Sequence, residues 1–161
     1  MTSTFAHSEP LLADLATATG GITQASFSEC GLTNGAHFPA TSVQEAAYLS
    51  GTYVNGTPHC ISVFVVMDDA SAPRPGISSN ASADFTMLAG ADDIEIAANV
   101  HVVGAGGNLY RCWGITSNFF FLNNGVIRFA GQSGKAFRIS GFQVNAGKYP
   151  LPYIKTTTSA V

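Results

Sequence analysis

Few side chains here are able to do chemistry, and their spacing organises no catalytic machinery. Asp68-Asp69 and Asp92-Asp93 are the acidic pairs. Carboxylates at strand ends, beside loop carbonyls, can hold Ca²⁺, but no EF-hand spacing accompanies either pair, so solvated turn carboxylates are the plainer expectation. Neighbouring residues of a strand point to opposite faces. Neither pair therefore supplies the two facing carboxyl groups, roughly 5–10 Å apart, that a glycosidase needs. His7, His37, His59 and His101 never fall at the i, i+4 interval of a helical zinc site and read as surface or hydrogen-bonded residues. Cys30, Cys60 and Cys112 lack metal-ligand spacing, and their odd number closes no disulfide framework. Cys60 and Cys112 sit in apolar, strand-like segments and are expected to be small buried side chains. There is no Gly-x-Ser-x-Gly elbow, and the glycine-rich run at 104–107 lacks the Lys-Ser/Thr of a phosphate loop. That run reads as a hairpin turn. The expectation is a protein that is not an enzyme, with no cofactor and no metal.

Aromatic and apolar residues are the remaining candidates, for binding rather than catalysis. Tyr110 and Trp113 lie three positions apart on one predicted strand and so face opposite sides of it. One can join the core while the other meets solvent or a sugar ring, which makes both candidate ligand-binding residues. Phe119, Phe120 and Phe121 must likewise divide between faces. A phenyl ring left outside the core marks an interaction surface, so Phe119 and Phe120 are candidate interface residues.

The elements that must position these residues are mostly strands. Residues 8–19 predict the one helix: Ser8 caps it, Pro10 suits its first turn, Gly20-Gly21 stops it, and Leu11, Leu12 and Leu15 form a short apolar stripe. That stripe needs a partner surface, in the domain or on a neighbour. From residue 22 onward short strands alternate with turns. Residues 43–49 are one candidate. Residues 60–67 are stronger, because Ile61, Val63, Val65 and Met67 line one face while Phe64 and Val66 line the other, the mark of a strand covered on both sides. Phe85 and Met87 alternate, Ile94 and Ile96 alternate, and residues 100–103 follow. Residues 104–108 turn into a strand at 109–115. Asn124-Gly125 separates 119–122 from 126–129, the strongest short hairpin signal. Ser133-Gly134 turns into 136–144. Residues 70–83 form the longest loop. Short strands at such intervals predict an all-β antiparallel sandwich, jelly-roll-like, with one short N-terminal helix. Three segments are expected: an arm and helix at 1–21, a sandwich domain at 22–154 and a tail at 155–161.

Composition narrows the partners. Only 11% of the 161 residues are charged and the net charge is −3, against about 25% charged in ordinary soluble proteins. A surface so weakly charged is poorly defended against association, which predicts that much of it is covered in an assembly. The seven basic residues are scattered, which argues against nucleic-acid binding. No apolar run approaches the roughly 18 residues of a membrane span. No basic stretch leads into an apolar block at the N-terminus, so no signal peptide is expected.

The last twenty residues, FQVNAGKYPLPYIKTTTSAV, carry the most information. Residues 142–144 read as a strand end and Ala146-Gly147 as a turn. Pro150 and Pro152 hold Tyr149 and Leu151 extended, and Tyr153 and Ile154 are placed to press back onto the domain. This ending resembles the close of a β-sandwich module found in bacteriophage tail and other virion proteins. The matching positions are Gln143, Gly147, Tyr149, Tyr153, Ile154, Thr156 and Thr157; Leu151-Pro152 stands where that module has Thr-Ser, and Lys155 where it has proline. The run Leu109-Tyr110-Arg111-Cys112-Trp113 resembles its "W-Y-R-V" strand, residues 61–67 its buried "Y-T-L-S-F-Y-V-K" strand, and His7-Ser8-Glu9 its "Y-S-E" opening.

The resemblance implies a structural component of a phage virion, made in the host cytoplasm and attached non-covalently to capsid, tail or fibre. From Met1 to the tail motif the chain reads as that module standing alone. Its partners would be other virion proteins and further copies of itself, with a homotrimer the leading expectation. Tyr149, Tyr153 and Ile154 join Leu11, Leu12, Leu15, Phe119 and Phe120 as anchoring candidates. The alternative is a carbohydrate-binding module that contacts host-surface glycans through Tyr110 or Trp113.

Overall fold

The structure is a computed structural model, which describes residues 9, 21–39, 56–76, 84–89, 100–116, 127–131 and 135–155. Among these residues eight strands form: β1 (Thr23–Ser26), β2 (Asn34–Phe38), β3 (His59–Met67), β4 (Phe85–Ala89), β5 (His101–Gly106), β6 (Leu109–Thr116), β7 (Ile127–Gly131) and β8 (Phe137–Ala146). A single 3₁₀ turn at Glu29–Gly31 is the only helical element among the described residues. Six strands make one sheet in the order β1-β2-β8-β3-β6-β5, every pair antiparallel, and β4 pairs with β7 in a second, two-stranded sheet. The fold is all-β and antiparallel. The expected helix at 8–19, apart from Glu9, and the expected strands at 43–49, 94–96 and 119–122 lie outside the described residues, as do Asp92-Asp93 and residues 156–161.

β3 is the centre of the large sheet because its sequence suits burial on both sides. All nine of its residues are buried, and it is flanked by β6 and β8. Its odd positions, Ile61, Val63, Val65 and Met67, face the main core together with Ala36 and Phe38 from β2, Cys112 from β6, and Phe137, Ile139, Phe142 and Val144 from β8. Phe38 and Phe137 stack there with centroids 4.8 Å apart. Phe64 and Val66 face the other side with Leu109, Phe27 and Leu32.

The core positions of β8 change phase partway along: Phe137 and Ile139 are odd, Phe142 and Val144 even. A bulge absorbs the change. Ser62 pairs with Gln143 and Phe64 with Ser140, so Gly141 and Phe142 together oppose Val63. Gly141 adopts φ +63°, open to glycine at little cost. The shift turns Gln143 and Asn145 onto the face of Phe64, opposite the main core.

The glycine-rich run behaves differently from the expected turn. β5 continues to Gly106, and the reversal into β6 occupies only Gly107-Asn108. Positive φ at Gly106 (111°) and Gly107 (56°), with a register shift between Gly104 and Gly106, allows so tight a connection.

Cys60 and Cys112 are buried, free thiols on opposite faces of the sheet. Desolvation pushes the Cys60 thiol up to about 12, and Cys112 is also raised by burial. Neither is a ready nucleophile.

A β-carbon at position 141 would lie 2.5 Å from Phe64 Cδ2. The strained φ and that clash together predict that Gly141→Ala destabilises the protein by about 2 kcal/mol or more. Chemical denaturation checks this; a variant as stable as the parent would contradict the bulge.

Candidate functional site

The face of the large sheet away from the main core carries an unusual set of buried polar side chains: Ser62, Gln143 (1% exposed) and Asn145 (3%). Such groups are costly to bury unless hydrogen-bonded. Their partner is the chain's own C-terminal segment, residues 147–155, which crosses this face as an extended strap. Gln143 Nε2 donates to the carbonyls of Leu151 (3.3 Å) and Pro152 (3.2 Å), and the Ile154 N–H donates back to Gln143 Oε1 (2.9 Å). Asn145 Nδ2 donates to the Tyr149 carbonyl (3.0 Å), and the Leu151 N–H donates to Asn145 Oδ1 (3.3 Å). Arg111, opposite Phe64 on β6, donates through Nη2 to Leu151 O (2.7 Å) and Ser62 Oγ (2.9 Å). At the start of the strap the Gly147 N–H donates to Pro58 O (2.8 Å). The two prolines suit this role, since they fix an extended backbone and bring no N–H needing a partner.

Tyr153 presses its edge onto Phe64, with centroids 5.7 Å apart and planes at 85°. Lys155, assigned to the tail from sequence, reaches the loop between β1 and β2. Its Nζ lies 2.9 Å from Glu9 Oε1. The Glu9 carboxylate also accepts the N–H groups of Thr33 (2.6 Å) and Asn34 (3.2 Å). One buried glutamate thus ties an N-terminal residue, the β1–β2 loop and the strap together.

Where the strap begins, an aromatic group opens to solvent. His101 on β5 pairs with Trp113 on β6, and their rings stack at 4.1 Å and 18°. Tyr149 sits 6.4 Å from Trp113, tilted by 57°. Tyr149 (73% exposed) and Val103 (53%) are the exposed large hydrophobic side chains among the described residues. Val103 pairs with Arg111, beside Trp113 on the same face of β6. Cross-strand pairing and the strap therefore gather His101, Val103, Arg111, Trp113 and Tyr149 at one edge of the sheet.

The candidates from sequence divide accordingly. Trp113 lies in this group. Tyr110 pairs with Val65 on the main-core side and is half-buried, apart from it. Tyr149 belongs to the group, while Tyr153 and Ile154 lie farther along the strap, half-buried. Leu11, Leu12, Leu15, Phe119 and Phe120 lie outside the described residues. Sequence reasoning missed His101 and Arg111, whose places depend on strand register, and Glu9 and Lys155, which meet only in the fold. Among the described residues no three His, Cys, Asp or Glu side chains converge as metal ligands. Asp68 is engaged by His37 (2.9 Å) and Asp69 by Lys135 (2.7 Å).

Burial alone would raise the Glu9 pKa; the Lys155 ammonium and the two backbone N–H donors outweigh it and hold the carboxyl below its usual range. A lowered folded value means that the clasp contributes fully above the unfolded pKa, about 4.3, and fades as pH falls through the folded value. The melting-temperature gap between the parent and Glu9→Gln should be widest near neutral pH and close in acid; a gap independent of pH would contradict the clasp. No protein-family model matches this chain, and no curated protein matches it.

Proposed function

We propose that the protein is a non-enzymatic structural component of a bacteriophage virion, seated non-covalently on the capsid, tail or a fibre. In this reading the β4–β7 pair covers the main-core face of the large sheet, giving a jelly-roll-like sandwich. The observation that carries the reading is the coincidence of motif and strap. Gln143, Gly147, Tyr149, Tyr153 and Ile154, which resemble the ending of the virion module, are the residues that fasten the C-terminus across the sheet or lie along it. The sparse charge of the chain fits a surface meant to be covered by neighbours. β5 and β1 end the large sheet among the described residues, and an open edge accepts a strand from another subunit. Burial of apolar area at roughly 25 cal/mol per Å² would drive the rest of the attachment. Copies of this chain, three around an axis in the leading arrangement, and other virion proteins are the partners. Synthesis is in the host cytoplasm.

A second reading, a carbohydrate-binding module that contacts host glycans, is favoured by the exposed group of Trp113, His101 and Tyr149. The two are compatible, since a particle-bound protein can also hold a glycan.

The virion reading is tested by immunogold labelling and density-gradient sedimentation of phage particles from a culture that carries the gene. It predicts label at a repeated position and co-sedimentation with particles. Protein confined to the top of the gradient, with unlabelled particles, would overturn it.

A further inference from the structure

We infer that Arg111 and the aromatic group beside it form a site for a carboxylated sugar, a uronic- or sialic-acid residue of an acidic glycan. The inference rests on the carbohydrate-binding reading and narrows it to a ligand class.

Arg111 is a half-buried cation, and no carboxylate among the described residues pairs with it. Burial lowers its pKa. Its guanidinium lies 5.6 Å from the Phe64 ring centroid. The two hydrogens of Nη2 go to Ser62 Oγ and Leu151 O, leaving the Nε and Nη1 donors for a ligand. A guanidinium held from within by neutral oxygens and a ring lacks an anion, and a carboxylate offers the charge-assisted bond it is short of.

The surroundings decide what carries that carboxylate. Val103 is directly across the strand pair, and Trp113 is two positions along β6 on the same face, with Tyr149 and His101 against it. Since His101 covers one face of the indole, the open aromatic surface is largely that of Tyr149. A pyranose ring presents an apolar C–H face to such a ring and its carboxylate at the rim, matching an apolar site with one convergent charge. Cations are few here, Arg111 and Lys148, the exposed neighbour of Tyr149 in the chain, whereas a phosphate backbone calls for several.

Trp113 is the only tryptophan of the chain, so its fluorescence reports on this site. The experiment titrates the whole protein with trigalacturonic acid and with 3′-sialyllactose. Galactotriose and lactose serve as neutral counterparts, and trialanine with a free C-terminus as the peptide carboxylate. Isothermal calorimetry runs in parallel. The expected result is saturable binding of at least one acidic saccharide, and which one names the source. Neutral counterparts bind at least about tenfold more weakly, the loss typical of a charge-assisted hydrogen bond. Arg111→Gln removes that preference. Because Arg111 also holds the strap, Tyr149→Ala, at an exposed position, provides the second variant: it weakens acidic sugars with an unchanged melting temperature. Equal binding of neutral and acidic sugars would overturn the inference and leave the glycan reading standing. Binding of no saccharide would overturn both. Binding of the peptide but of no sugar would overturn both in favour of a protein partner, and acidic-sugar affinity unchanged in Tyr149→Ala would overturn the assigned site.

Discussion

The buried carboxamide of Gln143 is the contact on which the rest of this face depends. A sheet face that carries Gln, Asn, Ser and Arg cannot be sealed by apolar side chains without stranding their donors and acceptors, at about 1–3 kcal/mol for each group left unpaired. Here the cover is peptide backbone, which supplies carbonyls and N–H groups at regular intervals. Gln143 engages residues 151, 152 and 154, and Asn145 engages 149 and 151. The exchange is reciprocal, because an extended segment paired with no strand has backbone groups of its own to satisfy. Apolar contact adds to it where Tyr153 meets Phe64.

This arrangement has consequences at both ends of the strap. At its start, fastening the chain at Asn145 brings Tyr149 beside Trp113, so an aromatic ring from the C-terminus joins a surface otherwise made by β5 and β6. The Leu151 carbonyl also holds Arg111 in place, so the geometry of the one cation in the group depends on the strap. At its other end, Lys155 and Glu9 fix the strap to the β1–β2 loop. The cover of the sheet and the candidate binding surface are therefore one construction, positioned ultimately by the β8 bulge that turns Gln143 and Asn145 toward this face.

Much of the framework was legible in the sequence. The two apolar faces of residues 60–67 marked the central strand, and the structure places β3 between β6 and β8. The strands at 109–115 and 136–144 appear within a residue or two, and Pro150 and Pro152 announced the extended ending. Other features were hidden for physical reasons. Gln143 and Asn145 alternate with Phe142 and Val144 in a way that reads as a solvent-facing edge; polarity alone does not distinguish water from a backbone cover. The bulge was written in the phase change from Phe137 and Ile139 to Phe142 and Val144, a signal that alternation counting passes over unless phase is tracked. The glycine run concealed a strand, because glycines serve the bulge and the turn alike. The stack of His101 on Trp113 and the Glu9–Lys155 clasp arise from register and long-range closure, which local spacing does not encode.

Amide hydrogen exchange at Leu151 and Ile154 tests the central claim most directly. Both N–H groups donate to side chains of β8, so they should exchange far more slowly than in an unstructured peptide and with protection approaching that of β8 itself. Exchange of these two amides at the free-peptide rate, while β3 and β8 stay protected, would show that the strap is no part of the fold and that the surface built on it does not exist.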